Sequence, residues 1–374
     1  MASDFAPHRY TYLAADVVTG VISDEIMFSE VTYSRELNGI GGFEGTVSIA
    51  PTTVSHLTGT VIPNRVTLAN LQPGRTIIWV LRDNIPMWGG IIWAFDANLE
   101  SRTVRFSGRD FLSYYQHRLI NTTQTFNAST HDQFTIAENI ITYAQSIGGG
   151  NIGTTVSYSA LSGRKRDRTY WSYEHYPVYD AIKMLAEVND GFDFSIDYGG
   201  DQAALTHTLR LSYPRRGTDT GLVFDTARNV SLTSWTQDAD EMANTVVAIG
   251  SGQGDDTLQT TASDTSTVGT TYPLLERTTS YKDVIITQTI VDHAAQDLKM
   301  YKVPVESVTL QLLRPDDAEG GLGSFITGDT LRVVANDNFV TINQSMRVMG
   351  YTVNIDENGS ENISIRLASL EGTV

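Results

Sequence analysis

The chain has 374 residues, 41% of them hydrophobic, and is long enough for two or three domains with sizeable cores. Acidic residues outnumber basic ones by 43 to 26, giving a net charge of −17. Because an acidic surface repels nucleic acid and anionic lipid, this charge argues against a sequence-specific DNA-binding protein. The absence of cysteine excludes disulfides, thiolate catalysis and cysteine-ligated zinc.

Targeting signals are also missing from the sequence. No run of about 18 apolar residues occurs, so we predict no membrane span. The start, "MASDFAPHRYTY", lacks a basic segment followed by an apolar one. We therefore predict no secretory signal.

The first part of the chain, up to residue 112, is predicted to be β. Runs rich in β-branched and aromatic residues recur, among them "RYTYL", "EGTVSI", "RTIIWVL", "MWGGIIWAF" and "RTVRFSG". Turn residues such as Asn38-Gly39 and Gly41-Gly42 separate them. Several short strands at this spacing favour a barrel or a sandwich.

Helical patterns follow, and residues 113 to about 235 are predicted to form a smaller α+β unit. Asp110 is placed to cap a short helix that carries Phe111, Leu112 and Tyr115. A second helix is predicted over about 132–147, and a third over about 177–190, starting at Pro177. The apolar stripe of the second helix consists of Phe134, Ala137, Ile140, Ile141, Ala144 and Ile147. The runs "FDFSID" and "HTLRLSY" then read as strands.

The last part, residues 236–374, is predicted to return to β. Strands are expected at "ANTVVAIG", "ESVTLQLL", "DTLRVV", "SMRVMGYTVNI" and "NISIRLAS". Residues 250 to 271 are rich in Gly, Ser, Thr and Asp, and we predict a mobile loop there. One short helix is predicted over 292–300.

No catalytic motif appears in the sequence. G-x-S-x-G, H-E-x-x-H and the P-loop are all missing, and the seven histidines are far apart. Asp193 and Asp197 share one face of a predicted strand with Ser195, but at about 13 Å they are too far apart for a glycosidase pair. We interpret this face as solvated.

One basic, aromatic segment is the candidate interaction site. It is "GRKRDRTYWSYEHY", residues 163–176. Tyr, Trp and Arg are enriched in protein interfaces, whereas basic residues with stacking aromatics can also bind single-stranded nucleic acid. Because the chain is so acidic, we favour a protein interface. The alternative is a surface loop without a binding role. The candidate residues are Arg164, Lys165, Arg166, Arg168, Tyr170, Trp171 and Tyr173.

Other notable side chains have structural explanations. Trp79, Trp88 and Trp93 could form a sugar-stacking platform, but such residues more often fill a barrel core or a subunit seam. Arg109 and Arg118 flank the short helix that Asp110 caps, and a cation near a helix C-terminus is stabilising.

Three stretches carry a resemblance to a known family. They are "FSEVTYSRELNGIGGFEGTVSI"; the "WGGIIW" run with a strand ending "FSGRD" and a helix; and the series "AAQDLKMYKVPVESVTLQL", "GDTLRV" and "RVMGYTVNI". This pattern resembles the tail hub family, minor tail proteins of long-tailed phages. The family is related to the baseplate hub protein of contractile phages and to the N-terminal part of tail-associated lysins. "DAIKMLAEVNDGFDFSID" fits the helix-to-strand step of the family's inserted domain.

The resemblance implies a fold that is mainly β with an α+β insertion: two tail-tube-like β-barrel or sandwich domains flanking a smaller α+β domain. The boundaries would be 1–112, 113–235 and 236–374. Three copies would then form a homotrimeric ring of six similar domains. Such a ring adapts a six-fold tail tube to a three-fold tip and leaves a channel for the DNA.

The resemblance also implies partners and a location. A tail tube or distal tail protein would lie on one side of the ring and tip or fibre proteins on the other, with DNA passing through without specific binding. The protein would be made in the host cytoplasm and reside in the virion tail tip. With no peptidase or lysozyme-like segment among these residues, the resemblance implies no enzymatic activity, catalytic residue, metal or cofactor.

Two other functions stay open at this point. A carbohydrate- or receptor-binding tail component of the distal-tail type would use an exposed Trp/Tyr platform in the middle of the chain. A cell-wall glycan hydrolase would need two carboxylates at catalytic separation, and the sequence nominates no such pair.

Overall fold

The structure is a computed structural model, and it describes residues 8–50, 52–54, 61–63, 71–188, 190–282, 284–285, 287–315, 320–337 and 339–370. Strands dominate the chain, and the longer helices lie in its middle and later parts. The fold is therefore mainly β with a smaller helical component, as predicted.

The elements follow one another along the chain in three groups. The first group is β1 (Tyr10–Asp16), β2 (Ile22–Glu25), β3 (Glu30–Glu36), β4 (Gly42–Ser48), β5 (Thr52–Val54), β6 (Val61–Pro63), β7 (Thr76–Arg82), β8 (Ile85–Asn98) and β9 (Thr103–Asp110). The second is a 3-10 helix (Phe111–His117), β10 (Leu119–Ile120), β11 (Gln124–Phe126), α1 (Gln133–Ser146), β12 (Thr155–Ser157), β13 (Arg168–Tyr170), a 3-10 turn (Ser172–Glu174), β14 (Tyr176–Pro177), α2 (Val178–Ala186), β15 (Asp193–Asp201) and β16 (Ala204–Ser212). The third is β17 (Asp219–Asp225), β18 (Val230–Asp238), β19 (Thr245–Ile249), a 3-10 turn (Gly254–Asp256), β20 (Gln259–Ser263), β21 (Glu276–Ser280), α3 (Thr287–Tyr301), β22 (Val305–Leu312), β23 (Thr330–Asn336), β24 (Thr341–Ile355) and β25 (Glu361–Ser369).

The chain divides into two compact units. Unit 1 comprises Met1–Thr218, Pro315–Gly328 and Gly350–Ser364. Unit 2 comprises Asp219–Arg314, Asp329–Met349 and Ile365–Val374.

Unit 1 contains an antiparallel sheet in the order β2-β1-β7-β8-β9-β4-β3-β24. Two glycines of the "WGGIIW" run, in β8, allow the central strands of this sheet to pack closely. A Cβ on Gly89 would lie 2.6 Å from the Trp79 ring, and one on Gly90 would lie 2.3 Å from the Arg109 carbonyl oxygen. The glycines therefore make room for a buried tryptophan and for the close approach of β9.

One hydrophobic core in unit 1 joins this sheet to the helices. It combines side chains of β1, β7 and β8 with the buried faces of α1, α2, β15 and β16. In α1 the predicted apolar stripe is buried, apart from Ile147 at its end. Asp132 caps α1 by accepting a hydrogen bond from Phe134 N at 2.9 Å.

The other helix ends have local causes. α2 begins after Pro177, as predicted, but ends at Ala186 rather than near residue 190. A Cβ on Gly191 would lie 1.7 Å from the Ala186 carbonyl oxygen, so the chain turns tightly against the helix end. Asp110 caps the short 3-10 helix, as predicted, with its Oδ1 2.9 Å from Leu112 N. Arg118 was expected to interact with the C-terminal end of the same 3-10 helix. Its Nη2 instead donates to the Ala144 carbonyl oxygen of α1, at 3.0 Å.

Unit 2 contains the strand order β18-β22-β25-β24-β23-β17. A smaller sheet places β19 between β20 and β21, and Ile290 and Ala294 of α3 pack with Ala248 of β19. Within residues 250–271, predicted as a loop, Gln259–Ser263 instead forms β20 because it pairs along the whole of β19. The short helix predicted at 292–300 extends over Thr287–Tyr301.

Candidate interaction surface

Arg164 opens the candidate segment and is held by its own chain. Its Nε donates to the Tyr213 hydroxyl at 2.6 Å, and its guanidinium lies over the same ring at 5.5 Å. Its Nη1 also lies 3.3 Å from the Asp190 carboxylate. The hydrogen bond to Tyr213 is the main reason why the pKa of Arg164 is raised.

Lys165 and Arg166 are likewise used inside the fold. Lys165 Nζ donates to the Ser129 carbonyl at 3.0 Å. Arg166 donates to Gln133 Oε1 at 3.3 Å and to the Asp190 carbonyl at 3.0 Å. Burial lowers the pKa of Arg166, and the charge of Arg168 lowers it further. These cations tie the segment to the start of α1 and to the turn after α2.

Arg168 and Tyr170 lie on β13, which pairs with β11. Arg168 is half-buried and donates to the Asp167 carbonyl. Tyr170 is buried in the core of unit 1, and burial raises its pKa to about 12. Its hydroxyl therefore remains protonated.

Trp171 and Tyr173 are the two aromatic residues of the segment that project to solvent. They are 46% and 72% exposed, and their rings lie nearly parallel, with centroids 6.1 Å apart. Two neighbouring exposed aromatic rings offer apolar area whose burial by a partner would be favourable.

The turn that presents this pair is fixed by hydrogen bonds. Trp171 N donates to Glu174 Oε2 at 3.2 Å, and Ser172 N donates to Thr123 Oγ1 at 3.1 Å. His175 has a left-handed backbone, with φ of 47°, and its Nδ1 lies 2.8 Å from Asn121 Oδ1. The backbone that carries the two rings is therefore held by hydrogen bonds, which reduces the backbone entropy lost on binding.

The structure corrects the interpretation of the Asp193–Asp197 face as solvated. Asp193 and Ser195 are buried. Asp193 accepts hydrogen bonds from Asn38 Nδ2 at 2.9 Å and from Arg216 N at 2.6 Å. Because these partners come from distant parts of the chain, alternation along one strand could not reveal them.

Asp197 is the centre of an arginine cluster that the sequence did not suggest. Its carboxylate lies 2.6 Å from Arg216 Nη2, 3.2 Å from Arg210 Nε and 3.5 Å from Arg35 Nη2. The guanidinium of Arg35 also stacks over the Tyr198 ring at 4.9 Å. This carboxylate joins β3, β16 and the segment after β16, which is a structural role.

The tryptophans of the β region are mainly core residues. Trp79 and Trp88 are buried, and Trp93 Nε1 donates to Ser113 Oγ at 2.8 Å. The stacking platform considered for them is therefore not formed. Within the described ranges, we find no cluster of three or more His, Asp or Glu side chains arranged to hold a metal, and no helix long and apolar enough to cross a membrane.

The fold is that of phage tail proteins. The chain superimposes on the 43 kDa tail protein of prophage MuSo2 from Shewanella oneidensis with a TM-score of 0.65 and 10% identity, over 96% of this chain and 98% of that one. It superimposes on the tail protein of Neisseria meningitidis MC58 with a TM-score of 0.60 and 15% identity, over 96% and 97%.

A third similar structure is the Escherichia coli c3393 protein. The TM-score is 0.51 at 8% identity, over 96% of this chain and 77% of that one. That protein is described as a type VI secretion component similar to the T4 tail proteins gp27 and gp5. No protein-family model and no curated protein sequence matches the chain.

Proposed function

We propose that this protein is a structural hub of a phage tail tip or baseplate. The observation that carries the proposal is that nearly the whole chain superimposes on nearly the whole length of two tail proteins. The description of c3393 as similar to gp27 and gp5 supports the hub in particular. On this account the protein resides in the virion tail and catalyses no reaction.

The proposed assembly is a homotrimeric ring. Residues 1–112 and 236–374 would supply two tube-like domains in each copy, with residues 113–235 as the insertion between them. Three copies then present six similar domains to a six-fold tube and three-fold symmetry to the tip. The net charge of −17 supports a lumen along which DNA moves without sticking.

The oligomeric state of the purified chain tests this proposal. Native mass spectrometry is expected to show a trimer whose fraction rises with protein concentration. Monomers alone at the highest soluble concentration, with and without the adjacent tail proteins, would contradict the ring.

We also propose that the exposed pair Trp171 and Tyr173 contacts a neighbouring tail protein. Their exposure and the hydrogen-bonded turn that carries them support this role. Arg164, Lys165, Arg166, Arg168 and Tyr170 would then hold the segment in shape and place positive charge beside the contact. Tail assembly with the Trp171→Ala variant tests this proposal.

The same exposed pair favours a second function, binding of host-wall carbohydrate or a receptor. Aromatic rings can stack on sugar rings as well as pack against protein. A pull-down with purified wall glycan separates the two functions. Glycan retained by the wild type and lost in Trp171→Ala supports the second function, and no retention by either removes it.

A further inference from the structure

A pocket of about 460 Å³ lies in unit 2. Its volume is within the range of small-ligand sites. The polar part of its lining comes from Gln237 of β18, Glu306 of β22, Gln344 and Ser345 of β24, and Ser369 of β25. Four strands that are distant in sequence therefore bring hydrogen-bonding residues to one place.

Glu306 is the only charged residue among the described residues of this lining. Two donors orient its carboxylate: Trp235 Nε1 lies 2.8 Å from Oε1, and Gln344 Nε2 lies 2.7 Å from Oε2. Each oxygen can accept a further hydrogen bond, because a carboxylate has about four lone-pair sites. Glu306 therefore offers an oriented acceptor to a ligand that carries O–H or N–H groups.

Two other lining residues have hydrogen-bonding side chains that the chain itself does not use. Gln237 and Ser345 are exposed, and within the described ranges their side chains neither donate nor accept a hydrogen bond. Gln237 lies directly opposite Glu306 in the antiparallel pairing of β18 with β22, so the two side chains leave the sheet on the same face. An amide that both donates and accepts therefore lies beside the oriented carboxylate.

An aromatic surface adjoins these polar groups. Trp235 precedes Gln237 by two residues on β18 and therefore shares its face of the strand. Besides its bond to Glu306, Trp235 packs against Phe339, with ring centroids 6.2 Å apart and an interplanar angle of 74°. Phe339 is 86% exposed. The oriented polar groups of the pocket are thus connected to an aromatic ring that solvent can reach.

A sugar residue matches this combination of groups. Its hydroxyls both donate and accept hydrogen bonds, which suits a carboxylate, an amide and a serine hydroxyl. The C–H groups on one face of the sugar ring are apolar and pack well on an aromatic side chain. An anionic sugar fits poorly, because Glu306 is itself negative and the described lining has no Lys or Arg to pair with a second anion.

We propose that this pocket binds a neutral sugar residue of a glycan. Glu306 and Gln237 bond its hydroxyls, and the pair Trp235 and Phe339 contacts its apolar face. The site belongs to unit 2, whereas Trp171 belongs to unit 1, so it is distinct from the aromatic pair discussed above. The inference does not depend on the trimeric ring.

The test uses the full chain and pairs of sugars that differ in charge. The neutral members are the methyl glycosides of glucose, galactose and mannose, and the anionic members are those of the corresponding uronic acids. Titration followed by saturation-transfer NMR is expected to show at least one neutral glycoside binding with a Kd of about 1–10 mM, as suits so small a ligand. Its uronic acid counterpart should bind at least about tenfold more weakly. Failure of all three neutral glycosides to bind overturns the proposal.

Two exposed positions locate the binding without disturbing the fold. Gln237→Ala is expected to weaken the preferred glycoside about fivefold, the usual effect of one hydrogen bond. Gln259→Ala is its matched control, because Gln259 is also an exposed strand glutamine but does not line the pocket. Phe339→Ala should weaken binding by a similar factor, while Ile285→Ala, at a position 78% exposed, should not. Trp171→Ala should also bind like the wild type.

Three other results would overturn the proposal. In the first, n-butylamine binds in a Gln237-dependent manner and no neutral glycoside does, which would assign the pocket to a cationic side chain. In the second, Gln237→Ala and Gln259→Ala bind the glycoside equally well, which would place the sugar elsewhere. In the third, Trp171→Ala alone loses binding, which would assign the sugar to the aromatic pair of unit 1. None of these results bears on the trimer, so this inference and the proposed hub can fail separately.

Discussion

Arg82 and Glu361 are 279 residues apart in sequence and form a two-pronged ion pair in unit 1. Arg82 Nε lies 2.6 Å from Glu361 Oε1, and Arg82 Nη2 lies 2.9 Å from Oε2. Their side chains are only 12% and 4% exposed. The Tyr10 hydroxyl donates to the same carboxylate at 2.6 Å. These contacts therefore join β1 and β7 to the beginning of β25.

Removing one partner of this pair should destabilise the protein. Glu361→Ala leaves a buried guanidinium without its carboxylate, which typically costs about 3–5 kcal/mol. We expect the free energy of unfolding, measured with urea, to fall by about that amount. Glu44→Ala is the control, because its pair with Arg105 is exposed and should contribute about 0–1 kcal/mol. Equal losses in the two variants would contradict a role for burial.

Asp110 gives the stability a dependence on pH. Its carboxylate accepts hydrogen bonds from Gly41 N at 2.7 Å and Leu112 N at 2.9 Å, yet burial dominates and raises its pKa to about 7. Its unfolded pKa is about 3.9, so the folded state holds the proton more tightly between the two values. Its contribution to stability is therefore complete below about pH 4 and is lost as pH rises through 7.

Asp110→Asn removes this titration. The stability of the wild type relative to Asp110→Asn should fall by up to about 1.4 kcal/mol per pH unit within that window. Urea unfolding at several pH values measures the difference. Asp96→Asn, at an exposed position of β8, serves as the control. If the free energies of unfolding of the wild type and Asp110→Asn change with pH in parallel, the pKa of Asp110 is not raised by folding.

Gly90 should not tolerate a side chain. A Cβ there would lie 2.3 Å from the backbone oxygen of Arg109, which cannot move without displacing β9. We expect Gly90→Ala to lower the free energy of unfolding by about 1–3 kcal/mol, the usual cost of overpacking. Gly148→Ala is the control, because no atom lies within 4 Å of its added Cβ. A loss no larger than that of Gly148→Ala would exclude the close approach.

Trp171 should matter for assembly and not for folding. Because the ring is 46% exposed, Trp171→Ala should change the free energy of unfolding by no more than about 0.5 kcal/mol. We expect the variant to be lost from tails assembled with the adjacent tail proteins, measured by quantifying the protein in purified tails. Leu161→Ala, also exposed and near the segment, should assemble normally. Normal incorporation of Trp171→Ala would rule out the proposed contact.

The sequence predicted those features that depend on neighbouring residues. The cap at Asp110, the burial of one face of α1 and the start of α2 after Pro177 follow from spacings of a few residues. The tail-protein fold was anticipated from strand-and-turn patterns, and the structural comparison confirms that fold.

Features that depend on distant partners could not be predicted. Spacing placed Arg118 near the end of its own helix, but its guanidinium reaches the carbonyl of Ala144. Alternation placed Asp193 on a solvated face, but folding brings Asn38 and Arg216 to it. The candidate segment shows both limits, since its composition marked the exposed Trp171 and Tyr173 but did not distinguish them from the buried Tyr170.

The measurement that tests the hub most directly is a cryo-EM reconstruction of tails assembled with this protein. We expect three copies at the tip, each supplying two similar β domains to a six-domain ring around an open, acidic lumen. Six copies in a ring, or a position away from the tube axis, would contradict it.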